Sequence, residues 1–364
     1  MSVLATIGVL ALLITVHELG HFLAARLQGI YANRFSIGFG PILLKYQGRQ
    51  TEYALRAIPL GGFVGFPDDD PDSDIPPNDP NLLKNRPVLD RAIVISAGVI
   101  ANLVFAYFVF VAQFTTLGIP EKFDYQPGVV VPEIISQDSP AAQAGVKAGD
   151  VILKVNDQPL EASETAIKSL METIRQSPNQ PVEFTVQRGN QQIDIDVTPK
   201  AGDDGVARIG VQLAPNVTAT KYRRPSSIFE VLGLAASQFQ GMFLATVKGF
   251  YTLITNFSAM ANQVAGPVKI VEQGAGLVAS NAGSLFPFTA IISINLAIIN
   301  ILPLPALDGG QLAFLLIEGL RGKPLPNRIQ ENVMQTGLVL LLGLGLFLIV
   351  RDTTQLAIFQ RLFQ

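Results

Sequence analysis

Runs of apolar residues long enough to cross a lipid bilayer dominate the hydropathy pattern of this chain. The first extends from Val3 to Leu27 and the second from Ala92 to Leu117. Two more close the chain, from Leu285 to Leu302 and from Gly337 to Val350, the last extended backward toward Ile329. Because a helix needs about 20 mainly apolar residues to span the hydrocarbon core, the pattern predicts four transmembrane helices.

Two of the apolar segments allow another interpretation. A signal peptide would need a basic start and a small-residue cleavage site, but no basic residue precedes Arg26 in the first run, so we predict a retained helix. The segment from Ile228 to Ala261 is amphipathic and aromatic, with Lys248 as its one basic residue. It could lie in the membrane interface or on the helical core, and its topology is left open.

The loop between the first two predicted spans has the alternation of β-strands. Residues 34–40 and 53–64 alternate apolar and polar positions, and Gly61 and Gly62 are adjacent in the second of these stretches. The pattern predicts a β-hairpin-containing loop near the membrane. Residues 68–80 are dense in Asp and Pro, which is typical of a solvated irregular linker.

Between the second and third predicted spans the pattern becomes that of a soluble α+β domain. We predict strands at residues 128–135 and 151–155 and a hairpin that joins 182–187 to 191–198. Short helical segments are predicted at 139–149 and 163–176. The chain is therefore divided into a first membrane part at 1–118, an inserted domain at 125–215 and a second membrane part at 225–364.

The distribution of basic residues predicts the orientation in the membrane. Loops that stay in the cytoplasm carry an excess of Lys and Arg near the ends of the spans. Such residues concentrate in the loops after the first and third spans: Arg26, Arg34, Lys45, Arg49, Arg56, Lys84, Arg86, Arg91, Arg321, Lys323 and Arg328. Both loops are expected in the cytoplasm, which places both termini and the inserted domain outside.

The amino-acid composition limits the partners and the metal ligands that the chain can have. The chain is 49% apolar with a net charge of −3, and no basic run interleaved with aromatics appears, so we expect no nucleic-acid partner. It has no Cys, which excludes disulfides and thiolate ligands. A bound metal would therefore need His and carboxylate ligands, and the chain contains only two His residues.

These two His residues form the sequence His-Glu-x-x-His at the end of the first span. On a helix, His17 and His21 project from one face and can bind one zinc ion, and Glu18 can act as general base on a water molecule at that ion. The alternative is a pair of polar residues that cap the helix end. Ionisable groups beside a membrane-length apolar run are costly without a compensating metal or partner, which favours the metal site.

Catalytic zinc normally has three protein ligands and one open position, so a carboxylate at membrane depth is expected as the third ligand. Asp308 is the candidate, because it follows the third span in a segment that contains two prolines and precedes Gly309 and Gly310. Broken helices at membrane depth usually line an enclosed or water-filled cavity. The alternative role is a cap for the next helix, predicted from Gln311 to Leu320.

Together these motifs resemble the site-2 proteases, which are intramembrane zinc metalloproteases. His17 to His21 match the motif of the first span, and Asn300 to Gly310 match the segment that ends the third. Residues 39–41, 58–64 and 266–268 resemble further family segments, and residues 139–152 resemble the core of a PDZ domain. The inserted domain is similar to the bacterial RseP type, which typically has two tandem PDZ domains where this chain has room for one.

The resemblance implies a function and roles for further residues. Asn300 and Pro303 would position the substrate or stabilise the tetrahedral intermediate, and Gly61 and Gly62 would offer a strand edge to an unwound substrate helix. A C-terminal peptide would bind in the PDZ-like domain between the strand at Gly128 and the helix predicted at 163–176. The implied substrate is a single-span protein, such as an anti-sigma factor or a remnant signal peptide.

We therefore predict a Zn²⁺-dependent endopeptidase that cleaves transmembrane segments, with His17, His21 and Asp308 as zinc ligands and Glu18 as catalytic base. It would reside in a bacterial inner membrane or a thylakoid-type membrane. The alternative is a non-catalytic membrane scaffold that recruits partners through the PDZ-like domain and holds a structural zinc. Glu18 favours the enzyme, because a structural site has no use for a general base beside its ligands.

Overall fold

The computed structural model describes residues 2–70, 73–132, 134–135, 138–202, 205–257 and 264–355. Its helices are α1 Ser2–Leu27, α2 Val88–Thr116, α3 Pro140–Ala144, α4 Ala166–Gln176, α5 Ile228–Thr255, α6 Pro267–Ser280, α7 Leu285–Ile301, α8 Asp308–Arg321 and α9 Asn327–Gln355. Its strands are β1 Arg34–Gln47, β2 Glu52–Gly65, β3 Ile119–Val130, β4 Val151–Val155, β5 Gln158–Pro159, β6 Val182–Arg188, β7 Gln191–Val197, β8 Lys200–Ala201, β9 Ala207–Arg208 and β10 Ala214–Arg223. Two compact units result, residues 1–117 with 225–364 and residues 118–224.

Five helices in the described part of the chain are long and apolar enough to cross a membrane. They are α1, α2, α5, the segment Ala282–Ile301 that contains α7, and the part of α9 from Arg328 to Thr354. Four of these coincide with the predicted spans to within a few residues at their ends. The fifth is α5, which coincides with the amphipathic segment whose topology the sequence left open; residues 258–261 of that segment lie outside the described residues.

Close backbone approach sets the packing of α1 against α2. A Cβ atom on Gly20 would lie 2.4 Å from the carbonyl oxygen of Ala97, so only glycine permits this separation of the two helices. Helix α7 packs on the same pair, with Phe288 clustered against Val9 and Leu13 of α1. Helices α2 and α7 therefore both pack against α1, whose C-terminal half contains the His-Glu-x-x-His motif.

The segment between α7 and α8 turns back sharply at residues 302–307. Ala306 has a left-handed backbone with φ of 69°, and a Cβ atom on Gly309 would lie 2.1 Å from the carbonyl oxygen of Leu302. These tight contacts let α8 begin at Asp308, three residues before the predicted start at Gln311. The N-cap residue is Leu307, so Asp308 does not have the capping role that the sequence left as an alternative.

The predicted β-hairpin loop is a small sheet in which β2 pairs with β1 along two stretches. Residues 34–37 of β1 pair with residues 52–55 and also with residues 62–65, and residues 42–47 pair with 52–56. The stretch 62–65 is therefore an edge of this sheet, bonded to β1 on one side. Phe22 of α1 packs against Phe35, which fixes the sheet beside the first helix.

The unit at residues 118–224 is the predicted α+β domain. Its sheet has the order β10-β3-β4-β6-β7, and one face of α4 buries Ala166, Leu170 and Ile174 in its core. The strand predicted at 151–155 and the hairpin of β6 and β7 are confirmed. The first strand is β3, residues 119–130 rather than the predicted 128–135, because it pairs along its length with β10, and the unit extends beyond both ends of the predicted 125–215.

The strand at Gly128, beside which a peptide groove is predicted, is paired on both sides at two of its residues. Val129 and Val130 pair with β10 on one side and with β4 on the other. The strand at Gly128 therefore has no free edge at these two residues, and a peptide cannot add to the sheet there. Binding of a peptide between this strand and α4 stays a prediction. Strand β10 was not predicted, because its Pro, Asn and Thr residues hide its strand pattern.

A buried ion pair stabilises this unit. Asp150 accepts hydrogen bonds from Nε and Nη2 of Arg188, at 2.8 and 2.7 Å, and from the backbone N–H of Lys147. Burial alone would raise the pKa of the Asp150 carboxyl, but these bonds outweigh burial and hold the pKa below its ordinary value. The carboxylate form is therefore stabilised by folding.

We expect Arg188→Gln to lower the free energy of unfolding of the domain at pH 7 by about 2 kcal/mol, because it leaves a buried carboxylate unpaired. Since the folded pKa of Asp150 is depressed, this stability is present above about pH 4 and is lost as the pH falls through the folded pKa. Urea unfolding of the isolated domain at several pH values measures both effects. Arg175→Gln, at an exposed position of α4, is the control, and an equal loss in both variants would contradict the role of the ion pair.

Candidate metal centre

Three potential metal ligands from distant parts of the chain meet at one point. The Nε2 atoms of His17 and His21 are 3.2 Å apart, and Oδ2 of Asp308 lies 3.1 Å from the first and 3.4 Å from the second. The three side chains retain only 10, 12 and 15% of their exposure. Among the described residues, this is the group of His and carboxylate side chains that could hold a metal ion.

These separations fit a zinc ion. With zinc–ligand bonds of about 2.0–2.1 Å in tetrahedral geometry, ligand atoms lie about 3.3 Å from one another, close to each of the three distances in this triangle. Oδ2 of Asp308 is also buried, and in the described part of the chain no hydrogen bond reaches it. A buried carboxylate oxygen without a donor is costly, and a cation at the centre of the triangle would compensate it.

The backbone of α2 fixes the orientation of the second imidazole. Nδ1 of His21 lies 2.9 Å from the carbonyl oxygen of Val94, which can only accept a hydrogen bond. Nδ1 must therefore carry the ring proton, and the lone pair on Nε2 points toward His17 and Asp308. This is the tautomer that a metal ligand requires.

A glycine on α2 makes room for both rings. A Cβ atom on Gly98 would lie 2.4 Å from Nε2 of His21 and 2.8 Å from Cε1 of His17. Gly98, Val94 and Asn102 were not predicted to be parts of the site. In the sequence, Gly98 is a glycine and Asn102 a polar residue within an apolar run, and this does not indicate which face of the helix they lie on.

A cavity of about 230 Å³ opens beside the triangle. Its lining includes Glu18, Gly61, Gly62 and Asn300, four of the residues that the sequence placed in the site. Pro303 does not line the cavity and is exposed in the turn that follows α7. The predicted catalytic and ligand residues thus lie together with the sheet edge and with the amide side chains of Asn300 and Asn102.

The cavity also explains what Glu18 and Asn300 can do. A Cβ atom on Gly62 would lie 3.1 Å from Cγ of Glu18, so the edge of the β1–β2 sheet runs directly past this side chain. The side-chain nitrogen of Asn300 lies 3.3 Å from Nε2 of His17. A peptide in the cavity would therefore meet a carboxylate and an amide donor close to the three candidate ligands.

An ion pair holds the helix that carries Asp308. Arg91 near the start of α2 donates from Nη1 and Nη2 to the two carboxylate oxygens of Glu318 on α8, and both side chains are largely buried. Because α8 begins at Asp308, this contact fixes the helix about three turns from its metal-ligand end.

Comparison with known proteins identifies the family of the chain. The sequence pattern of peptidase family M50 matches residues 5–344. A putative zinc metalloprotease from Nostoc sp. is 61% identical over all of both chains, and the protease RseP of Yersinia pestis is 31% identical over 95% of this chain and 97% of its own. A solved PDZ domain of an SdrC-like protein from Listeria monocytogenes is 22% identical over 26% of this chain and 93% of its own, with a TM-score of 0.21.

Proposed function

The chain belongs to peptidase family M50, the site-2 proteases, and from its zinc-metalloprotease activity we propose that it hydrolyses peptide bonds within transmembrane segments of single-span proteins. The observation that carries the proposal is the location of the metal-binding triangle, which lies where α1, α2 and α7, all of membrane-spanning length, pack together. A substrate bond must reach membrane depth to be cleaved there. Anti-sigma factors and remnant signal peptides are substrates of this kind.

In the proposed mechanism His17, His21 and Asp308 hold the zinc ion, which when bound activates water and polarises the scissile carbonyl. Glu18 accepts the proton of the attacking water and returns it to the leaving amine. The amide nitrogen of Asn300 donates a hydrogen bond to the oxygen that becomes negatively charged in the transition state. Pro303 contributes indirectly, through the turn that brings Asp308 back to the site.

The proposed substrate track is the edge of the β1–β2 sheet at residues 62–65. A transmembrane helix cannot be cleaved while its backbone is hydrogen-bonded to itself, so the substrate must first unwind. An unwound segment needs new backbone partners in the membrane, and a sheet edge supplies them. Gly62 places this edge beside Glu18, where the extended peptide would meet the attacking water.

The proposed topology retains four spans, with α5 outside the count. Arg351 at the end of α9 donates to the carbonyl oxygen of Val264, and Gly274 of α6 lies against Thr6 near the start of α1. The chain before α6 is therefore at the same membrane side as the start of α1. A spanning α5 would have to return between Thr255 and Val264, and these nine Cα–Cα steps reach about 30 Å only when the chain is fully extended.

We propose that this side is extracytoplasmic, in a bacterial inner membrane or a thylakoid-type membrane. The loop of residues 28–87 and the turn between α8 and α9 then face the cytoplasm or stroma, in accord with their basic residues. The PDZ-like domain, connected to the opposite end of α2, lies outside. It would bind a peptide of the substrate or of a partner protein.

Cleavage of a model single-span protein by the purified protein in detergent tests the proposal. We expect product termini within the apolar segment, identified by mass spectrometry, complete loss of cleavage on removal of the metal by a chelator, and recovery on addition of stoichiometric zinc. The control substrate has the same flanks and a soluble linker in place of the span. Cleavage confined to the flanks or to the linker would contradict the proposal.

Substitution of Gly61 tests the substrate track separately. Gly61 has φ of 120°, and a Cβ atom on it would lie 1.9 Å from the Phe39 ring, so Gly61→Ala must distort the sheet edge. Strain of this kind costs about 1–3 kcal/mol, and we expect kcat/KM to fall about 10-fold or more. Zinc stoichiometry should not change, because none of the three candidate ligands lies in the sheet. Loss of zinc, or an unchanged kcat/KM, would contradict the proposed substrate track.

A further inference from the structure

Asn102 of α2 is a fully buried polar residue to which the proposed mechanism assigns no role. Its exposed fraction is 0%, and its side-chain nitrogen lies 3.4 Å from Nδ1 of His17. Its side-chain oxygen is buried and, among the described residues, has no hydrogen-bond partner. A buried amide that leaves its acceptor unpaired costs about 1–3 kcal/mol.

The position of the ring proton on His17 indicates which end of the Asn102 amide faces it. If Nε2 of His17 binds zinc, the neutral ring carries its proton on Nδ1, which then faces the amide nitrogen of Asn102, so that two donors oppose each other. The oxygen and nitrogen of an amide have nearly the same shape, and their assignment follows from the hydrogen bonds around them. Turning the amide by 180° places its oxygen opposite Nδ1–H, so that an acceptor faces the donor, and the amide nitrogen takes the buried position that the oxygen held.

The arrangement then matches that of the second ligand. His21 donates its Nδ1 proton to the carbonyl oxygen of Val94, eight residues before Asn102 on α2. The same helix would thus present one acceptor to each imidazole, from positions about two turns apart. Helix α7 contacts the backbone of Asn102 and not its amide, because the fully buried Ser293 hydroxyl donates to its backbone oxygen at 2.8 Å.

We propose that Asn102 is a positioning residue of the metal centre, whose side-chain oxygen accepts the Nδ1 proton of His17 and directs the Nε2 lone pair at the zinc ion. Asn102 also lines the cavity beside the triangle, but in the proposed role it is not a ligand and acts through His17. The inference rests on the ligand set of the proposed function, so the experiment must separate the two.

Nitrogen NMR of the full-length protein does so, because the chain contains only two His residues and therefore four ring nitrogens. The protein is labelled with ¹⁵N-histidine, purified without a histidine tag and loaded with stoichiometric zinc. We expect metal-induced shifts at both Nε2 atoms and a protonated, exchange-protected Nδ1 on both rings. If neither Nε2 responds to zinc, the ligand set itself fails; if Nε2 of His17 responds and its Nδ1 is unprotonated, only the role of Asn102 fails.

Two variants and a control complete the test. In Asn102→Ala the Nδ1–H resonance of His17 should shift or be lost by exchange while that of His21 remains, and zinc affinity should fall about 10- to 100-fold. Asn102→Asp keeps an acceptor and should restore both the resonance and most of the affinity. Ser293→Ala perturbs the same buried position and should leave both Nδ1–H signals in place. An unchanged His17 resonance in Asn102→Ala, or equal changes at both rings, would overturn the proposal.

Discussion

Replacing Glu18 by Gln should lower kcat for a transmembrane substrate by about 10²- to 10⁴-fold, while zinc stoichiometry remains at one per chain. The amide has nearly the shape of the carboxylate but cannot accept the proton of the attacking water. Glu18 lines the cavity without belonging to the three-ligand triangle, so the loss should appear in catalysis alone. Product analysis together with metal analysis of the same preparation measures both quantities.

Asp308→Ala is the matched comparison, because it removes a metal ligand and leaves the proposed base intact. We expect this variant to lose stoichiometric zinc as well as activity, since two imidazoles alone leave the site one ligand short of a catalytic zinc centre. The contrast separates the two roles. If Glu18→Gln cleaved as well as the parent protein, the proposed acid–base chemistry would be wrong, and loss of zinc in that variant would make Glu18 a ligand.

The chemistry of the centre could be predicted from sequence because few residues are able to supply it. Without Cys and with two His residues four positions apart, a zinc site had to draw its third ligand from carboxylates at membrane depth. The positions of the apolar runs then predicted that the end of α7 lies on the same side of the membrane as His17 and His21. The structure places Asp308 about 3 Å from both imidazoles.

The surroundings of the centre could not be predicted, because they depend on which face each helix presents. Gly98 and Asn102 lie in an apolar run that is hydrophobic all round, and such a run does not define a buried face by periodicity. Strand β2 pairs with β1 twice, which depends on a bend within one continuous stretch of sequence. The alternation of apolar and polar residues therefore identified the strands but did not predict which residues pair. Strand β10 was missed because its partner β3 lies almost a hundred residues earlier in the chain, and only that pairing makes it a strand.

The packing of α1 against α2 therefore determines whether the two imidazoles can approach one ion. Gly98 is the position in this interface where we expect a substitution to have the largest effect. Gly98→Ala would put a methyl group 2.4 Å from Nε2 of His21, the atom proposed to bind the metal, in an interface that has no space to relax. Overpacking of this kind typically costs about 1–3 kcal/mol, and here the cost falls on the geometry of the site. We expect zinc affinity to fall about 10- to 100-fold, and activity to be lost when zinc is only stoichiometric.

Gly8→Ala on α1 is the control for that change, because a Cβ atom there meets no atom within 4 Å. It adds the same methyl group to a membrane-length helix and should leave zinc affinity and cleavage at parental values. If the methyl group acts by displacing the ligands, excess zinc should restore part of the activity of Gly98→Ala. If this variant binds zinc normally yet does not cleave, Gly98 borders the substrate path instead. An unaltered Gly98→Ala would mean that α1 and α2 are farther apart in the membrane than the 2.4 Å approach implies.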